Sequence, residues 1–255
     1  MIAKMKRLLL LSFVGALPLQ ITTTSNDSTE TNFRVAGGFG QYAYVSRGCE
    51  GNVLDKERIP FSEFGVSVDH KTKTPLRLGI NATYIHTRKE RDLEGYYSYG
   101  YYDERYAGNK RSREILAVNP FINAEWKYFA LGGGYFGANG PIFDRNDDSN
   151  EQFFSGYLRI GNIRSTYFDV SIFHTAPVYS GSYFKLGLGY RPNPALGWWL
   201  GIGGLPYDKI GFMVKTDVRL RQHLSLDALI RLGGSEGISE SAAGFGLTYK
   251  LIGGK

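Results

Sequence analysis

The chain has 255 residues, among them 33 Gly, 18 Tyr, 16 Phe and one Cys, and a formal charge of +6. Glycine stands at nearly twice its usual ~7% share, which suits tight turns and crowded strands, and the length fits one undivided all-β domain. Lys4, Lys6 and Arg7 carry half of that net charge and no basic stripe follows, so nucleic acid is excluded as a partner, and the lone Cys49 excludes an internal disulfide.

The first residues have the parts of an export signal. Met1 to Arg7 is basic, Leu8 to Val14 is apolar, and Val14-Gly15-Ala16 offers compact residues for cleavage. The apolar core falls far short of the ~20 residues a spanning helix needs. Residues 1–16 are therefore expected to be a signal peptide and 17–32 a polar periplasmic segment leading into the fold.

From residue 33 onward the dominant period is two, the mark of strands, whose successive side chains point to opposite faces. The predicted strands, in chain order, are 33–45, 59–69, 75–87, 113–126, 129–139, 152–161, 166–174, 182–191, 197–205, 210–221, 224–233 and 241–251. The first puts Gln41 on its apolar row, unless a bulge at Gly37-Gly38 shifts the register and brings Tyr42 and Tyr44 outward. The third is regular: Leu76, Leu78, Ile80, Ala82 and Tyr84 alternate with Arg77, Gly79, Asn81 and Thr83. The fourth contains Pro120, which cannot donate a ladder hydrogen bond. In the tenth, Ile210, Phe212, Val214, Thr216, Val218 and Leu220 oppose Gly211, Met213, Lys215, Asp217 and Arg219. The last opposes Phe245, Leu247, Tyr249 and Leu251 to Gly244, Gly246, Thr248 and Lys250.

Most of these segments approach the ~9–11 residues that cross a bilayer at a tilt, longer than the ~5–6 of ordinary globular strands. Connections alternate in length. Those at 70–74, 127–128, 162–165, 192–196 and 221–223 are short, whereas 46–58, 88–112 and 140–151 are long. Short turns on one rim and long loops on the other are the outer-membrane pattern.

A soluble barrel turns its apolar row inward, a membrane barrel outward. Three features favour the second. The polar row combines charge with many glycines, as a crowded interior requires. Trp126, Phe129, Phe168, Tyr190, Trp198 and Tyr249 collect at the short-turn ends of the apolar row, as an interfacial girdle would. Closure also leaves no unpaired sheet edge in hydrocarbon.

On these patterns, residues 33–251 resemble the Gram-negative outer-membrane β-barrel class. The most specific resemblance is Phe245-x-Leu247-x-Tyr249-x-Leu251, which looks like that class's C-terminal assembly signal, although residues 252–255 follow as a tail. The resemblance implies a single closed antiparallel barrel of about twelve strands in up-and-down order, located in the bacterial outer membrane. It implies outer-membrane lipid and the barrel-assembly machinery as partners.

The expected lumen lining is Arg77, Glu125, Arg159, Asp169, Lys185, Arg191, Lys215, Asp217, Arg219, Asp227 and Arg231. Arg159 and Asp169 are equidistant from the 162–165 turn, so they should be cross-strand partners, as should Asp217 and Asp227. Such a row either fills the lumen as a paired network or selects a small polar or anionic solute. The leading expectation is a non-enzymatic narrow passive pore or structural surface protein, porin-like in build, with no cofactor and no metal site.

Two alternatives remain open. His174, Ser182 and Gln152 fall at the outer ends of three consecutive strands, where a rim-located lipid hydrolase would need a nucleophile, a base and an orienting group. The short His-x-Ser arrangement of outer-membrane phospholipases is missing from this sequence. The loop 88–112 holds Tyr96, Tyr97, Tyr99, Tyr101, Tyr102 and Tyr106, which suit recognition of a ligand or partner. Asp144 to Asp148 lacks the spacing of a calcium loop.

Overall fold

Among the described residues twelve strands form, one for each predicted segment: β1 (Glu30–Arg47), β2 (Val53–Lys71), β3 (Leu76–Asp92), β4 (Arg111–Glu125), β5 (Phe129–Ala138), β6 (Glu151–Gly161), β7 (Thr166–Ile172), β8 (Phe184–Asn193), β9 (Leu196–Leu205), β10 (Lys209–Arg221), β11 (Leu224–Ser235) and β12 (Ile238–Ile252). The computed structural model describes residues 29–47, 53–92, 111–140, 150–172, 184–205, 209–235 and 238–253. Each strand pairs antiparallel with its sequence neighbours, and β1 pairs with β12, so the sheet closes in up-and-down order.

A perpendicular walk around the ladder starts at Glu30, passes Lys71, Arg77 and the other strands, and returns to β1 at Tyr42, a stagger of twelve residues. With ~3.3 Å per residue and ~4.7 Å between strands, a stagger equal to the strand number tilts the strands by about 35°. That lies at the lower edge of the usual barrel range. The backbone ring is then roughly 20 Å across, wide enough that only large side chains can fill it.

The two irregularities of the sequence are accommodated without a register shift. No bulge occurs at Gly37-Gly38: β1 pairs in unbroken register with β12 from Glu30↔Ile252 to Tyr44↔Ile238. Gln41 accordingly stays outward and exposed, a polar residue on the apolar row. Pro120 sits inside β4, paired with Ile80 of β3, without shifting the register. On its other side the β4–β5 ladder skips from Val118↔Gly137 to Phe121↔Gly134. There the Asn119 side chain donates from Nδ2 to the Tyr135 carbonyl at 2.9 Å, supplying a donor where proline has none.

Strand ends also move. β1 begins at Glu30, so Glu30 and Asn32 belong to the barrel rather than to the leading segment, and β12 takes in Ile252 from the tail. β3 runs on to Asp92 and β4 starts at Arg111, with Arg88↔Ser112 and Lys89↔Arg111 still paired inside the stretch read as loop. Backbone pairing continues where both faces turn polar, and hydrophobic alternation cannot register it.

Short connections are built by side chains that cap the turn. Asn162 Oδ1 accepts from Arg164 N at 3.0 Å, and Asn193 Oδ1 accepts from Ala195 N and Leu196 N at 2.9 Å each. Gly161, with φ of 104°, enters the first of these turns in a conformation that side-chain-bearing residues rarely adopt.

Candidate functional site: the lumen and its short-turn mouth

The polarity of the wall is inverted relative to a soluble barrel. Outward side chains such as Leu200, Phe212, Ile230, Leu232 and Phe245 are each at least half exposed, and Phe154 reaches 87%. Inward, Arg77 and Arg231 are 0% exposed. A water-facing surface rarely carries apolar area on this scale, whereas lipid requires it.

At the short-turn end the lumen holds a connected ionic network. Arg77 on β3 bonds the Asp69 carboxylate of β2 and lies 3.3 Å from Glu125 of β4 and 3.6 Å from Glu30 of β1. Asn32 donates to Glu30 at 3.1 Å and to Asp69 at 3.0 Å, and Lys250 of β12 meets Glu30 at 3.0 Å. A second group centres on the opposed pair Asp217↔Asp227. Arg34 grips Asp227 through Nε at 3.1 Å and Nη2 at 2.5 Å, with Lys215 3.6 Å away, and Arg191 binds Asp217 at 2.6 Å. Two like charges facing each other each obtain a cation from another strand, and Arg34 meets Asp227 as a two-point fork. Between these groups a recess of about 60 Å³ opens at the mouth, bordered by Glu30, Arg34, Asp227 and the 221–223 turn.

Above the network the filling turns aromatic. Trp199 is buried with Ile163, Tyr167, Met213 and Leu229, and its Nε1 donates to Asp169 at 2.7 Å. The inward glycines make this packing fit. A methyl group at Gly187 or Gly201 would overlap the Trp199 ring, and one at Gly189 would overlap Tyr167. Toward the long-loop end, Phe136 stacks on Phe153 at 6.2 Å among Ile85, Ile115, Ala117 and Ala138.

The sequence-derived lumen residues all turn inward. Arg77, Glu125, Arg159, Asp169, Lys185, Arg191, Lys215, Asp217 and Arg231 are buried, with Arg219 and Asp227 partly so. Arg159 is the register partner of Asp169, but its Nη2 donates to the Trp126 carbonyl at 3.3 Å while Asp169 accepts from Trp199. Sequence reasoning missed Glu30, Asn32, Arg34, Asp69, Asn119 and Trp199. Trp199 was recoverable, because an outward Trp198 forces its neighbour inward.

The aromatic residues flank the short turns on the outer face, with Trp126–Phe129 centroids at 5.9 Å and Tyr190–Trp198 at 6.4 Å. Phe168 is half-buried and Tyr249 exposed beside His223. Phe245, Leu247, Tyr249 and Leu251 form the outer row of β12. Residues 1–16, Cys49, 96–106, 144–148, His174 and Ser182 lie outside the described residues, while Gln152 is outward and exposed. Among the described residues no group of three His, Cys, Asp or Glu is placed to hold a metal ion.

Closure, an apolar exterior and an ionic interior together define a β-barrel of the outer-membrane class. No family model and no curated protein matches the sequence. Among solved structures the chain is similar to the translocator domain of autotransporter NalP from Neisseria meningitidis, at 9% identity over 86% of this chain and 88% of that one, with a TM-score of 0.49. It is also similar to outer membrane phospholipase A from Escherichia coli (12% identity, 91% and 95% covered, TM-score 0.36). The P. putida toluene transporter TodX is a third (8% identity, 93% and 92% covered, TM-score 0.38). The class itself rests on the geometry of this chain.

Proposed function

We propose that this chain is a structural protein of the bacterial outer membrane whose lumen is sealed by its own side chains, rather than a passive pore. The filled interior carries this reading: Trp199, Arg77, Arg231, Phe136, Lys185 and Met213, all inward, are fully buried. A charged lining selects solutes only where water and ions can pass it, and ionic groups bonded to one another are not available to a solute. Short turns would face the periplasm and long loops the exterior. The protein would act through its exposed rims and carry no enzymatic activity. Protein refolded into planar bilayers should give no steady conductance step at either polarity. Regular, reproducible single-channel openings would overturn the sealed-lumen reading.

A further inference from the structure

A second recess, of about 40 Å³, lies at the short-turn rim between the 126–128 and 162–165 connections. Four cations line it: Lys71 at the end of β2, Lys127 and Arg164 in the two turns, and Arg159 on β6. Its one acid, Glu125, is already engaged by Arg77 at 3.3 Å, so the positive charge is in excess. Arg159 is 3% exposed, and its buried Nε has no hydrogen-bond partner. A buried donor without an acceptor is costly, and an anion entering the recess would supply one. Trp126 forms part of the same wall, which sets the recess at the height of the aromatic girdle, where headgroups lie.

We propose that this recess binds a phosphate group, supplied by a phospholipid of the leaflet that meets the short turns. The inference rests on the membrane reading above. A phosphodiester suits the donors present, since guanidinium forks pair with its oxygens and ammonium groups act as point charges. Lys127, exposed in its turn, lines the recess with its ammonium held over the Tyr128 ring at 4.9 Å.

The test uses the full chain folded in maltoside micelles, with retained lipid counted by native mass spectrometry. Phosphatidylglycerol and diacylglycerol are the probes, and inorganic phosphate is the competitor. Lys127 and Arg164 are exposed turn residues, so K127Q/R164Q should fold, as heat-modifiable gel migration would report. Phosphatidylglycerol should bind the double variant about tenfold more weakly than the natural chain. K73Q, in the 72–75 turn outside the recess, should bind normally, and diacylglycerol should not be retained.

Equal retention by the natural chain and K127Q/R164Q would overturn the proposal, as would an equal loss in K73Q. Complete displacement by millimolar inorganic phosphate would assign the recess to free phosphate instead of lipid. A chain that never folds in micelles would sink the membrane reading itself, whereas a folded chain indifferent to headgroup sinks only this inference.

Discussion

At the short-turn end of the lumen, one guanidinium, that of Arg77, is shared among three carboxylates from three strands. At the long-loop end, Phe136 packs against Ile85, Ile115, Ala117, Ala138 and the Phe153 ring. Both arrangements fill the same tube, but they respond to damage differently. An ionic cluster hung on one shared guanidinium fails as a unit, because removing it leaves Asp69 and Glu125 buried without that cation, while Glu30 keeps only Lys250. An apolar cluster loses stability in proportion to the volume removed.

The contrast is sharpest at the hub. Arg77→Ala should destabilise the barrel by about 3–5 kcal/mol in urea unfolding from lipid vesicles. Neutralising the acids alongside it, as Glu30→Gln, Asp69→Asn and Glu125→Gln, should restore most of that loss. A loss below about 1 kcal/mol for the single variant would show that water already screens the cluster. Trp199→Phe removes the donor to Asp169 together with part of the buried ring volume, and should cost about 2–3 kcal/mol. Should it cost nothing, neither the bond to Asp169 nor the lost ring volume contributes to stability, and the ionic region ends below Trp199. The smallest effect belongs to the apolar end, where Phe136→Leu should lower stability by about 1 kcal/mol. A loss comparable to that of Arg77→Ala would erase the distinction.

Much of this architecture is legible residue by residue. All twelve strands follow from alternation, and the inward position of every predicted lumen residue follows from parity alone, as does the Asp217↔Asp227 opposition across a short turn. What alternation cannot supply is contact across the lumen. Arg34 and Asp227 are 193 residues apart in sequence and meet only because β1 closes onto β12 beside β11. Glu30 and Asn32 escaped notice because polar residues on both faces look like a linker, although backbone pairing holds them in the wall. Pro120 resembled a breaker for the opposite reason: its replacement donor, Asn119 Nδ2, lies on a side chain, beyond what a backbone rule counts.

The junction of β1 with β12 also bears on how the molecule comes to exist. One edge of Glu30 to Tyr44 pairs with β2, but the other finds its partner only in the last strand, and the staples across the gap, Lys250 to Glu30 and Gly253 N to the Thr29 carbonyl, join the same two distant segments. Every other pairing can zip from a local hairpin, whereas this one waits for all twelve strands to arrive. The rate-limiting event of assembly should therefore be ring closure. Until then β1 offers its bare backbone, and an apolar row, to any other chain within reach.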